Sequence, residues 1–107
     1  MEQVVETEFC LCPKFEKAFS ILGKKWNGLI LDVLLEDGSQ RFVDLANKIP
    51  EVSDRVLVER LRELDAEGIV VKEDNLYQLT AKGRDLETSL IAVKDWGNKW
   101  IDTSECS

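Results

Sequence analysis

Apolar positions recur at steps of three and four from Pro13 onwards, dividing the first two-thirds of the chain into amphipathic segments. In PKFEKAFSILG, Phe15, Ala18, Phe19 and Leu22 form one apolar face, with Pro13 suited to the first helical turn and Gly23 ending the segment. KKWNGLILDVLLEDGS repeats the rhythm in Trp26, Leu29, Ile30, Val33 and Leu34 and stops at Asp37-Gly38. RFVDLANKIP turns Phe42, Leu45, Ala46 and Ile49 inward and closes at Pro50. Only Glu51 and Val52 separate Pro50 from Ser53, whose hydroxyl is placed to cap a fourth helix by accepting from a free N–H. Two helices joined by so tight a turn predict a helix-turn-helix.

The period changes after Gly68. IVVKEDNLYQL carries two β-branched or aromatic runs around Asp74-Asn75, which predicts a short hairpin. Thr80 then caps a long last helix running to about Ile101. Along it, Leu86, Leu90, Val93, Gly97 and Trp100 alternate steps of four and three, a seam suited to a second helix, and Trp96 lies about a turn from Trp100. The seam assigns Leu86, Leu90, Val93, Trp96 and Trp100 to a homodimer interface; the competing reading puts all three tryptophans in one core. A two-fold dimer would set two recognition helices ~34 Å apart, one turn of DNA. The predicted class is mainly α with a small β-hairpin wing (α+β), a winged helix-turn-helix with an additional terminal helix. The domain is expected over residues 12–102, between flexible tails at 1–11 and 103–107.

Composition narrows the chemistry. A chain of 107 residues suits one domain, and 44% apolar with 33% charged residues describes a globular protein. The absence of histidine removes a histidine general base, a Ser-His-Asp triad and mixed Cys/His zinc sites, so no enzyme activity and no cofactor are expected. No stretch reaches the roughly 18 apolar residues of a membrane span, and the acidic start is unlike a secretory signal; a cytoplasmic protein without membrane association is expected.

The fourth segment, SDRVLVERLRELDAEG, sets arginines on a helix inside a chain of net charge -7. At about 100° per residue, Leu57, Leu61 and Leu64 share one face while Arg55, Glu59 and Arg62 lie nearly opposite. Arg60 stands beside the leucine stripe, where it serves either a backbone phosphate or a neighbouring carboxylate. From Gly38 to Arg62, five basic residues (Arg41, Lys48, Arg55, Arg60, Arg62) meet four acidic ones (Asp44, Glu51, Asp54, Glu59), a net of +1 that leaves -8 elsewhere. Such segregation permits approach to a duplex, and arginine both reads guanine edges and binds phosphate. Solvated helix pairs such as Arg55/Glu59 are the plainer reading; the tight turn, which fixes the second helix for a major groove, favours DNA.

CPKFEKAFSILGKKWNGLIL, RFVDLANKIPEVSDRVLVERLRELDAEGIV and YQLTAKG together resemble the HxlR-type transcription regulators, relatives of the MarR-like winged helices, over roughly Cys12 to Trp100. The resemblance implies a homodimer that binds an operator in double-stranded DNA as a repressor or activator of nearby genes, repression being the mode expected here, with DNA-reading positions at Ser53, Arg55, Val56, Glu59, Arg60 and Arg62 and a phosphate contact from Arg41. The wing departs from the family pattern: VVKEDNLY is short and acidic at its tip, leaving Lys72 as its one cation. That departure motivates an alternative reading, a winged-helix module for protein interaction that has lost specific DNA binding.

The resemblance also implies oxidant or electrophile sensing at the cysteine of the Cys-Pro motif. Cys12 precedes Pro13, so its sulfur sits at a helix start, where free N–H groups and the helix dipole favour a thiolate, with Lys14 and Lys17 nearby. Its plainer reading is a small packed hydrophobe. Cys10 and Cys106, each near a chain end, are the candidates to resolve an oxidised Cys12, a Cys12–Cys106 bridge tying one subunit's first helix to the other's last. The three thiols are a weak soft-metal signal, and without Cys-x-x-Cys a thiol oxidoreductase is disfavoured.

Overall fold

A computed structural model describes residues 11–102. Four helices lead into an antiparallel hairpin and two further helices: α1 Pro13–Leu22, α2 Asn27–Asp37, α3 Phe42–Lys48, α4 Asp54–Ala66, β1 Val70–Glu73, β2 Leu76–Leu79, α5 Ala81–Arg84 and α6 Glu87–Trp100. This is a winged helix-turn-helix. Its core is Ile30, Leu31 and Leu34 from α2, Leu45 and Ile49 around α3, Val52 in the turn, Leu57, Leu61 and Leu64 from α4, and Ile69, Val70 and Leu79 from the hairpin. Each such side chain contributes roughly 1.5–3 kcal/mol by leaving water. Burial of Ile49 and Val52 at the two ends of the α3–α4 turn is what fixes that turn's angle.

The hairpin forms where expected. Val70 pairs with Leu79 and Glu73 with Leu76, and Asp74 (φ 52°) and Asn75 (φ 67°) take the two left-handed positions that a two-residue hairpin turn requires. Gln40, between α2 and α3, adds an isolated bridge to Tyr77, with Gln40 N–H donating to the Tyr77 carbonyl at 3.0 Å and Tyr77 N–H returning to Gln40 at 2.7 Å.

Three expectations need correction. The second helix begins at Asn27, because Trp26 takes a left-handed φ of 82° that interrupts the segment. Its inward face also includes Leu31, fully buried, whereas Leu29 is half exposed and Trp26 and Val33 are only partly covered. The last helix is not continuous: α5 ends at Arg84, Leu86 N–H closes a tight three-residue turn on the Gly83 carbonyl (3.1 Å), and α6 starts at Glu87. A close approach lies just before the break. Gly83 is buried, and a Cβ there would collide with the Ile69 carbonyl and lie 3.0 Å from Leu79 Cδ2. Thr80 locks the junction, its hydroxyl donating to the Gly68 carbonyl (2.6 Å) and accepting from Gly83 N–H (3.1 Å).

Neither α1 nor α6 buries a residue. The apolar face of α1 is covered only at its end, where Leu22 packs against the core; Phe15 and Phe19 stack at 5.9 Å and are about two-thirds exposed. α6 is held along α2 by Lys94, which donates to Asp32 (2.9 Å) and Glu36 (3.2 Å). No helix among the described residues is long and apolar enough to cross a membrane.

Candidate nucleic-acid interface

Ser53 caps α4 as its position suggests, its Oγ accepting from Val56 N–H at 3.2 Å. Leu57, Leu61 and Leu64 are at most 2% exposed, so the inner face of α4 is fixed by the core. The opposite face carries Arg55, Glu59 and Arg62, all exposed. Val56 is partly buried against the core at the helix start.

Partners sort the cations. Arg41 is held by Asp44, through Nε to Oδ2 at 3.2 Å, while Asp44 also accepts from the Arg41 backbone N–H. That Arg41 hydrogen bond holds the Asp44 carboxyl below its usual range. Lys48 donates to Asp37 (2.9 Å) and to Gln40 Oε1 (3.0 Å). Arg60 turns inward: its side chain is 16% exposed, Nε donates to the Lys25 carbonyl at 3.1 Å, and Nη1 lies 3.5–3.6 Å from Glu63 and Glu59. Of the five basic residues between Gly38 and Arg62, Arg55 and Arg62 are those whose guanidinium groups have no ion pair or hydrogen bond among the described residues. Those two are therefore free for an outside acceptor without breaking a bond already made.

The wing lies beside the Arg62 edge of α4. Lys72, Tyr77, Val58, Leu61, Arg62 and Asp65 line an open recess there, and Lys72 Nζ stands 5.4 Å from the centre of the Tyr77 ring. The structure thus brings Lys72 beside α4, while Glu73, near the turn, accepts from Gln78 at 2.7 Å.

The residues assigned to a dimer seam divide. Leu86 and Leu90 pack on this chain's own core, whereas Val93, Trp96 and Trp100 are 60–65% exposed. Phe15, Phe19 and Leu29 add exposed apolar surface that the seam did not include; the period of α1 marked those phenylalanines as apolar, but nothing in the sequence says which apolar faces a fold leaves bare. Cys12 is exposed and caps α1, its Sγ accepting from Phe15 N–H at 3.4 Å. Lys17, assigned beside it, instead pairs with Glu67 at 3.0 Å. Cys10 and Cys106 lie outside the described residues. No cluster of three or more metal-ligating side chains occurs among the described residues.

A model of the HxlR-like helix-turn-helix family matches residues 21–105. The HTH-type transcriptional regulator YvaP of Bacillus subtilis is 46% identical over 102 residues, spanning 88% of this chain and 93% of the relative. YodB, an HTH-type transcriptional regulator of the same organism, is 38% identical over 89% of this chain and 90% of its own. The crystal structure of quinone-bound YodB superposes with a TM-score of 0.78 at 44% identity, covering 83% of this chain and all of that one. The redox regulator HypR in its oxidised form superposes with a TM-score of 0.77 at 34% identity, covering 86% of this chain and all of that one.

Proposed function

From the chain's membership of the HxlR-like helix-turn-helix family of transcriptional regulators, we propose that it binds operator DNA sequence-specifically as a homodimer, acts as a repressor, and is released by modification of Cys12. The observation that carries the DNA reading is the pair of unsatisfied guanidinium groups, Arg55 and Arg62, on the outer face of a leucine-anchored helix. Ser53 and Val56 set the start of that helix, Arg55 and Arg62 approach base edges or phosphates, Glu59 accepts from a base amine, and Lys72 meets the backbone from the wing. Arg41 reaches a phosphate only by giving up Asp44.

Selection of bound duplexes from a random-sequence pool, followed by fluorescence anisotropy on the winner, tests this. Arg55→Ala and Arg62→Ala should each weaken specific binding by about 1–3 kcal/mol and lower the salt slope by about one. Recovery of no preferred sequence, with a native fold, would leave the protein-interaction module as the better account; the acidic turn residues Glu73 and Asp74 and the net charge of -7 are what that account rests on.

Support for thiol control comes from the exposure of Cys12 at a helix start, together with the quinone-bound and oxidised states of the two structural relatives. A thiolate adding to a quinone ring carbon forms a C–S bond and, after protonation, leaves a hydroquinone thioether on the protein. Quinone or diamide should release wild-type protein from its operator and leave Cys12→Ser bound. Equal release of both forms would remove Cys12 from the mechanism. Diamide treatment of Cys10→Ser and Cys106→Ser, each with Cys12 kept, shows which of the two takes part, by loss of the Cys12 disulfide.

A further inference from the structure

α4 has a third side, between its leucine stripe and its outer arginines, and it is given over to polar contacts with α1 and the turn after it. Glu67 pairs with Lys17 of α1 at 3.0 Å. One turn back, Glu63 pairs with Lys24 at 2.9 Å. Another turn back, Arg60 donates through Nε to the Lys25 carbonyl at 3.1 Å while its Nη1 faces Glu59 and Glu63. The three rungs each span 35 or more residues of sequence, and two of them end in one short segment, Lys24 to Trp26, which contains the left-handed Trp26. Beneath them lies a recess of about 160 Å³ lined by Lys17, Lys24, Asn27, Glu63 and Glu67. Asn27, 2% exposed, donates to the Ile21 carbonyl from below, so the same turn is gripped from both sides.

An arginine offered to DNA would be expected to project as Arg55 and Arg62 do. Arg60 instead has its planar fork divided between a backbone carbonyl and two carboxylates, which a rotation towards solvent would abandon together. We propose that Arg60 is a positioning residue that straps the recognition helix to the α1–α2 turn, with Lys24–Glu63 and Lys17–Glu67 as the outer rungs, and that it touches no DNA. The inference rests on the DNA reading above only for its functional consequence. The angle at which Arg55 and Arg62 are presented is then set on one side by the hydrophobic core and on the other by this strap, which also joins α4 directly to the helix that Cys12 caps.

The test uses Arg60→Met, which keeps the aliphatic stem, and Arg60→Lys, which keeps the charge but not the fork. With the strap as described, both variants bind the selected operator about tenfold more weakly, with an unchanged salt slope, because no phosphate contact is lost. In the unliganded protein, amide exchange at Asn27 and Ile30, whose N–H groups bond to Lys24 and Trp26, rises while the denaturant midpoint of the core changes little. A slope lowered by about one in Arg60→Met and restored in Arg60→Lys, with exchange at Asn27 unchanged, overturns the proposal and makes Arg60 a phosphate contact. Glu63→Gln covers the case in which the Arg60 variants fail to fold. Removing an acid beside DNA strengthens binding electrostatically, so weaker binding and faster Asn27 exchange support the strap and stronger binding with unchanged exchange refutes it. Should the wild type bind no duplex, the exchange measurements still decide the strap, and the failure belongs to the DNA reading.

Discussion

Replacing Trp100 by alanine probes the bare apolar surface of α6. Trp100 is 64% exposed, so of the roughly 250 Å² a tryptophan presents, about 160 Å² is offered to a partner. Truncation to alanine withdraws about 110 Å² of this, and two-fold symmetry counts the loss twice. At ~25 cal/mol per Å² the loss is about 5 kcal/mol. Side-chain ordering and imperfect packing offset part of the gain from burial, so about half survives as a change in association. That is a dimer dissociation constant raised about a hundredfold. Sedimentation equilibrium over a protein concentration series measures it directly. Far-ultraviolet circular dichroism should be unchanged, because α6 buries no residue in its own chain. A wild type that stays monomeric throughout, or a variant that dissociates over the same range as wild type, would refute the assignment of this face to a second copy.

Three further expectations follow from particular contacts. Asp44→Asn keeps an acceptor for the Arg41 backbone N–H but releases the guanidinium, so operator binding should tighten and its salt slope steepen by about one, as read by anisotropy. Ser53→Ala removes the Oγ that accepts from Val56 N–H and should cost about 1 kcal/mol in chemical denaturation. Lys94, raised above its ordinary value of 10.5 first by its hydrogen bond to Asp32 and then by Glu36, steadies α6 fully below that pH and loses the effect as pH rises through the higher folded value. A Lys94→Met variant should therefore lack the wild type's decline in alkaline thermal stability; an identical decline in both would exclude the pair.

Periodicity carried most of the fold because burial imposes it. The leucines of α4, the α3–α4 turn and the Asp74-Asn75 turn were all legible, since each is fixed by local geometry or by a stripe facing the core. What escaped was set by contacts distant in sequence. Leu31 and Leu29 are both leucines in an apolar run, and only packing against the rest of the core decides that Leu31 goes in while Leu29 stays half exposed. The Gly83–Ile69 approach beside the break in the last helix joins residues 14 apart, with no signature at either one alone. The same holds at the interface. Charge counting placed five cations near α4, but which of them remain uncommitted depends on Asp44, Asp37, Glu63 and the Lys25 carbonyl, and the last is a backbone atom with no side-chain identity to read.

The tight crossing at Gly83 makes the root of the wing and the short helix α5 a single fulcrum. With no space there for even a methyl group, α5 cannot slide against Ile69 and Leu79, which open and close the hairpin, without lifting off them. A larger residue at position 83 would consequently displace both ends of the hairpin together, re-aiming the wing and the chain that leads into α6 as one movement.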